Sequence, residues 1–201
     1  MLLVGLTGNY GMGKSTVLAM FKKLGAHSID SDEIVKTLLA EEAVLKRLRA
    51  ILGDEVFRGN GSLDKGRVAD AIFHNSRLRQ STEDLLHPLV FDRVGSLLEG
   101  IKRSDKVIII EVPLLFERNY ESGFNRTVTV YTGEDTALER LEKKGVNREE
   151  ALLRVNAQLP IDQKIGKSDY AIDNNGSSDE TFAQAKEIYQ KLMKEAEDAD
   201  N

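Results

Sequence analysis

LLVGLTGNYGMGKST, residues 2–16, decides how the rest of this chain is read. Its apolar opening, Leu2, Leu3, Val4 and Leu6, predicts a strand buried on both faces. Gly8-Asn9-Tyr10-Gly11-Met12-Gly13-Lys14-Ser15 then satisfies G-x-x-x-x-G-K-[ST] at every fixed position. Val17, Leu18, Phe21 and Leu24 follow at helical spacing, with Gly25 as a stop signal. Strand, glycine loop and helix in that order form a nucleoside-triphosphate site. The glycines let successive backbone N–H groups turn toward one centre, and the helix N-terminus adds the positive end of its dipole. Lys14 is placed to reach the β- and γ-phosphates, and the Ser15 hydroxyl to hold the Mg2+ that travels with them.

Outward from that stretch, 201 residues suffice for one large domain with appended subdomains. A formal net charge of -5 gives no overall pull toward nucleic acid or anionic membrane, so neither is expected as a partner. Cysteine is absent, which removes disulfides and thiolate metal sites and fits a reducing cytosol. No apolar run approaches the roughly 20 residues of a membrane span, and the first residues read as a strand rather than a signal peptide. A soluble, cytoplasmic protein is the expectation.

Further strands are expected at 26–30, 106–112, 127–131 and 169–172, the middle two rich in β-branched residues. Between them fall helical patterns. Ser31 reads as an N-cap with Asp32 and Glu33 in the first turn, and Leu45, Leu48, Ile51 and Leu52 form a stripe ending at Gly53. Residues 58–62 are turn chemistry. From 64 to about 101 the pattern is helical, interrupted at His87-Pro88, where Pro88 either starts a helix or kinks one. Helices are expected at 134–144, closed by Gly145, and at 148–158, whereas the basic stretch to Lys167 lacks an apolar face. After a loop at 173–176, Ser177 or Ser178 caps a last helix that runs into a frayed acidic tail at 195–201. Alternation of strand and helix predicts an α/β fold with a five-stranded parallel sheet flanked by helices. Ligands of such sheets bind beyond the strands' C-terminal ends, which gathers 8–15, 30–32, 112–117 and 173–176 at one edge.

Asp30 and Asp32 suit a helix start, yet carboxylates at the mouth of a strand beside a γ-phosphate can also accept a hydroxyl proton or help hold Mg2+. Arg140, Arg148, Arg154, Lys143, Lys144, Lys164 and Lys167 suit a solvated face, or the lid of a small-molecule kinase closing over the transferring group. Glu111, ending the third strand, holds the place of a magnesium-linked carboxylate, and Glu117 follows it. His87 beside Pro88 suits a helix junction.

The blocks LTG…GMGKST, Ile29-Asp30-Ser31-Asp32, His87-Pro88, Val112-Pro113-Leu114-Leu115-Phe116-Glu117, Arg140-Leu141, Glu149-Glu150-Ala151 with Arg154 and Gln158, and Ile172-Asp173-Asn174-Asn175-Gly176 together resemble dephospho-coenzyme A kinase. They cover most of the chain in that family's order. The resemblance implies ATP-dependent phosphorylation of the ribose 3′-hydroxyl of dephospho-CoA, the last step of coenzyme A synthesis. It implies one P-loop kinase domain over 1–201, a helical substrate-binding insert at about 64–101 and a lid at about 140–167. By the same resemblance Asp32, Lys14 and Arg140 are catalytic. Gly11, Met12, Gly13, Lys14, Ser15, Thr16, Arg140 and Asn175 bind ATP, with Ser15 on Mg2+. Thr7, Asp32 and His87 contact the acceptor, and Arg154 matches a lid arginine. The implied partners are ATP and dephospho-CoA alone, with the protein a monomer or weak homo-oligomer. Three positions depart from the family. Asn9-Tyr10 replaces a usual Gly-Ile, which should alter the loop's packing but not its phosphate-facing N–H groups. Lys65 and Lys144 replace common arginines, keeping charge but losing bidentate grip. Arg148 matches no fixed position. A nucleoside-monophosphate kinase is the alternative, but its anionic acceptor needs no general base such as Asp32. A GTP-binding switch lacks its Asn-Lys-x-Asp segment here.

Overall fold

Leu2–Thr7 (β1), His27–Asp30 (β2), Val107–Glu111 (β3), Arg126–Tyr131 (β4) and Tyr170–Asp173 (β5) pair in parallel in the order β2-β3-β1-β4-β5. These are the expected five strands, seen in a computed structural model that describes residues 1–101 and 106–199, and of Phe73 the backbone only. β1 lies at the centre because its side chains face apolar neighbours on both sides: Val4 and Leu6 are fully buried, as are Ile108 and Ile109 of β3. Register places Leu6 opposite Glu111, Asp30 opposite Glu111, Thr7 opposite Thr129 and Tyr131 opposite Asp173. The C-terminal ends of all five strands therefore reach one edge. From β1 the chain runs through the first helix to β2 on one side, while β4 and then β5 continue on the other, so the strand order reverses at the end of β1, where ligand crevices form.

The described residues fall into two compact units: Ser31–Ile101, and the chain on either side of it. In the sheet-containing unit, Lys14–Leu24 (α1) and, near the C-terminus, Ser178–Asp198 pack on the sheet. Val17, Phe21, Ala185, Ile188 and Leu192 close over Val4, Ile109, Val130 and Ile172. The helical unit contains Ser31–Leu38 (α2), Glu42–Leu52 (α3), Lys65–His74 (α4) and Ser76–Glu99 (α5). It begins at Ser31 and not near residue 64, because Val44, Leu48 and Leu52 of α3 share a core with Val56, Phe57 and Leu85. Back in the first unit, Glu134–Glu142 (α6), Arg148–Asn156 (α7) and Ile161–Lys167 (α8) connect β4 to β5, and Ser178–Asp198 is α9.

Two expectations change, the position of the break in the long helical segment and the fraying of the tail. The break in the long helical segment is at Asn75, whose side chain accepts from the Arg77 and Leu78 N–H groups and caps α5. The helix then runs through Pro88, which forfeits one backbone bond while Leu85, Val90 and Val94 remain buried around it. Residues 161–167 form a helix within the basic, weakly apolar helical insert expected between β4 and β5, and the side chain α8 buries is a lysine. The acidic tail is not frayed up to Asp198: Ala196 is fully buried, Glu195 accepts from Tyr170 and pairs with Arg126, and Glu197 pairs with Lys106. Residues 200–201 lie outside the described residues. Ser177 is the N-cap of α9, in a reciprocal capping box with Glu180. No described helix is long and apolar enough to cross a membrane.

Candidate active site

The glycine loop between β1 and α1 is shaped by what surrounds it. Gly13 caps α1 in the left-handed region, at φ 91°, and a Cβ there would stand 2.2 Å from the Asn174 Nδ2. Gly11, at φ 82°, would place a Cβ 2.8 Å from the Ala137 carbonyl oxygen. Only glycine meets both demands. The Gly13 carbonyl accepts from the N–H groups of Thr16 and Val17, each at 3.1 Å, which starts the helix. The first turn of α1 has no side-chain cap and no acidic residue. By contrast, α2, α6, α7 and α9 each carry two acidic residues in the first turn. The positive end of the α1 dipole is thus met by no anion of its own turn, an arrangement that suits a bound phosphate.

Lys14 lies along the loop, its Nζ donating to the Asn9 carbonyl at 3.4 Å and standing 4.0 Å from Glu111 Oε1. Both side chains are mostly buried, so charge at this spot is weakly screened. Ser15 and Thr16 are exposed in the first helical turn. Met12 is buried, and its N–H donates to the Asn9 carbonyl at 3.2 Å. Its carbonyl accepts from Asn174 Nδ2 at 2.9 Å. Thr7 is fully buried, and its hydroxyl donates to the Pro113 carbonyl at 3.2 Å, tying the end of β1 to the segment after β3.

Arg140, on α6, donates from Nη2 to the Asn174 carbonyl at 2.9 Å, which draws its guanidinium to the loop's rim. Asn174, in the loop that the resemblance sets beside the adenine, links three elements. It donates to Met12, accepts from Thr181 Oγ1 at 3.1 Å on α9, and holds Arg140 through its carbonyl. Asn175, the residue singled out from the sequence, is exposed. Its Oδ1 accepts from Gly133 N–H at 2.7 Å and Thr132 Oγ1 at 2.8 Å. Nothing in Asp-Asn-Asn-Gly indicates which asparagine turns inward.

The basic residues between β4 and β5 separate into different roles. Arg154, on α7, donates to the Tyr10 hydroxyl at 3.0 Å and lies over the Tyr10 ring, 4.8 Å from its centroid. Arg148 pairs with Asp135 and Glu142 on the surface, Lys143 and Lys144 are exposed, and Lys167 lies over the Phe116 ring. Lys164 is fully buried. Its ammonium meets Glu117 Oε1 at 2.8 Å and donates to the Pro113 carbonyl at 3.1 Å. Burial pushes its pKa down from the ordinary lysine value, and the bond from Glu117 opposes that. Glu117 Oε1 also accepts from Leu159 N–H at 3.0 Å. Sequence reasoning missed this buried pair because one lysine in a polar stretch carries no sign of its depth.

Asp32 and His87 belong to the helical unit: Asp32 is exposed in the first turn of α2, and His87 is partly buried in α5. Lys14, Ser15, Met12 and Arg140 are brought together around the glycine loop in the sheet-containing unit, and Asn175 lies against Thr132 and Gly133 before α6.

A family model described as dephospho-CoA kinase matches residues 2–180. A dephospho-CoA kinase of Geobacillus kaustophilus is 34% identical over 186 residues, spanning 91% of this chain and 92% of its own. One of Aquifex aeolicus is 30% identical over 193 residues, spanning 96% and 98%. The crystal structure of TT1252 from Thermus thermophilus matches with a TM-score of 0.81 at 29% identity, over 94% of this chain and 96% of that one. A parallel sheet with a phosphate loop at the reversal of its strand order, and sequence likeness along nearly its whole length, assign this chain to the dephospho-CoA kinase family.

Proposed function

We propose that the protein transfers the γ-phosphate of ATP to the ribose 3′-hydroxyl of dephospho-CoA, giving coenzyme A. The observation that carries this reading is the α1 N-terminus, uncapped and free of acidic residues in its first turn, with Lys14 and Arg140 drawn to its loop, in a chain of this family. Residues 11–16 cradle the phosphates. Lys14 and Arg140 offset the charge that develops on the transferring group, in a site where buried surroundings strengthen each contact. Asn175 and its loop border the adenine, while Thr7 and His87 serve the acceptor side. Arg154 closes over the phosphates with α7.

Mg2+ fits the oxygen donors present: the exposed Ser15 hydroxyl, and the Glu111 carboxylate beside Lys14. Among the described residues no cluster of three or more acidic or histidine side chains could hold a metal by itself. An ion that arrives on the nucleotide and keeps several waters needs no such cluster. When bound, it supplies neutralisation of charge on the phosphate oxygens.

Asp32 handles the acceptor proton. Phosphoryl transfer through a loose transition state mainly needs the hydroxyl aimed in line, and a carboxylate can orient it and take its proton late. Asp32 is an exposed carboxylate in the turn that follows β2, while Asp30 ends the strand itself. A cytoplasmic location and a monomer or weak homo-oligomer go with this reading.

The test is ADP formation from ATP with a panel of acceptors. Dephospho-CoA should support turnover and nucleoside monophosphates should not; the reverse overturns the proposal. Asp32→Asn should lower kcat by roughly 10²–10⁴-fold, with ATP affinity and melting temperature close to wild type. A folded variant that keeps most of its turnover removes Asp32 from proton transfer.

A further inference from the structure

We infer that Tyr10 is a positioning residue for phosphoryl transfer, holding the Arg154 guanidinium at the rim of the phosphate loop; this rests on the kinase function proposed above. Tyr10 occupies a position at which the loop motif admits any residue. Its neighbours on the chain, Gly8, Gly11 and Gly13, are dictated by backbone conformation. Tyr10 is instead fixed by contacts with a segment more than 140 residues away, its hydroxyl accepting from Arg154 across 144 residues of sequence. Its N–H donates to Gln158 Oε1 at 2.8 Å, and its ring packs with Leu138, Leu141 and Ala151. The preceding residue does the same: Asn9 is buried and donates from Nδ2 to the Leu159 carbonyl at 3.1 Å. Asn9 and Tyr10, rather than the loop's glycines, bind it to residues 154–159.

Two of the contacts of Arg154 pull on different nitrogens of its guanidinium. Its Nη2 meets Glu150, one turn back on its own helix. Its Nη1 meets the Tyr10 hydroxyl, and the plane of the group lies over the Tyr10 ring. Glu150 draws the side chain along α7, and Tyr10 adds an anchor from the loop itself, which turns the guanidinium toward the loop's rim. A long, flexible cation is thereby pre-set where phosphate charge is to be met, so its ordering is complete before substrate arrives. An aliphatic side chain at position 10 has neither a hydroxyl nor a π face to do this.

The test compares Tyr10→Phe, Tyr10→Ile, Arg154→Ala and the Tyr10→Ile/Arg154→Ala double variant in full-length protein. Steady-state turnover of ATP with dephospho-CoA is read beside ATP titration and melting curves. Tyr10→Phe, which keeps the ring, should lower kcat by about threefold, and Tyr10→Ile by about tenfold, a barrier change typical of one lost charged contact. The KM for ATP should move less than kcat, and the melting temperature should stay near wild type. In the Arg154→Ala background, Tyr10→Ile should add nothing. A Tyr10→Ile protein with wild-type kcat overturns the inference. So does an equal loss in both backgrounds, or a loss that tracks a falling melting temperature. The Arg154 side-chain N–H resonance, assigned by its disappearance in Arg154→Ala, gives a reading independent of turnover. It should be dispersed in the wild type and collapse toward the free-arginine position in Tyr10→Ile; an unchanged signal also overturns the inference. Wild-type protein that forms no ADP with dephospho-CoA sinks the kinase reading instead, and the resonance still decides what Tyr10 does to Arg154.

Discussion

His87 shows how burial and charge compete at one side chain. Desolvation holds its imidazole below the ordinary value of 6.5, and the Asp84 carboxylate pulls the other way without prevailing. The fold thus favours the neutral ring. Between the lowered value and 6.5 the unfolded chain binds more protons than the native one, so stability rises with pH across that window. Below it the penalty is present in full. The melting temperature of the wild type should therefore fall more steeply than that of His87→Gln as pH is lowered from about 7 toward 5, the range in which histidine titrates. Parallel curves would show that His87 takes no part in the acid response.

At the level of elements, the phosphate loop is braced from outside by the turn between β5 and α9. Asn174 accounts for that bracing, because its amide donates to the buried Met12 carbonyl and its Oδ1 accepts from Thr181. Asn174→Ala leaves the buried Met12 carbonyl without its side-chain donor, at a cost of about 1–3 kcal/mol, while the Thr181 hydroxyl keeps its bond to the Ser177 carbonyl. The melting temperature should drop, and the KM for ATP should rise more than kcat falls, since the loop is loosened before chemistry begins. An unchanged KM would mean that the glycine loop holds its shape unaided. The Arg140 guanidinium, anchored on the same asparagine's carbonyl, should stay in place, because alanine retains that backbone oxygen.

Across the whole molecule, the buried Lys164–Glu117 pair gathers segments far apart in the chain. Lys164 reaches Pro113, which also receives the Thr7 hydroxyl, and Glu117 receives the Leu159 N–H. The end of β1, the segment after β3 and the α7–α8 junction thus meet around one ion pair. Its net worth against an apolar replacement is small, but removing one partner strands a buried charge at a cost of about 3–5 kcal/mol. Lys164→Met should therefore lower stability by that order in thermal or denaturant unfolding. The Lys164→Met/Glu117→Leu double variant should recover part of it. If the double variant is as unstable as the two losses added, the pair acts through its separate bonds to Pro113 and Leu159.

Leu2 to Thr16 could be read from the sequence because its signals are local: an apolar run, fixed glycine spacing, and a helix that begins where the loop ends. The strands, a serine cap at 177 or 178 and the nucleotide-binding loop were legible for the same reason, each depending on residues within one turn or one strand; that Ser177 pairs with Glu180 came from the structure. The course of α5 through Pro88 was not, because the packing of Leu85, Val90 and Val94 outweighs one missing backbone bond. Nor were the burial of Lys164 against Glu117 and the ordered end of α9, where Glu195 finds Tyr170 and Arg126. Within the site, sequence named Lys14, Ser15 and Arg140 and placed them on a loop and a helix. Tertiary structure alone decided that Asn174 and not Asn175 turns under the loop, and that Arg154 rests on Tyr10. Such contacts join residues up to 162 positions apart. Their partners are chosen by the packing of whole elements, which no local spacing encodes.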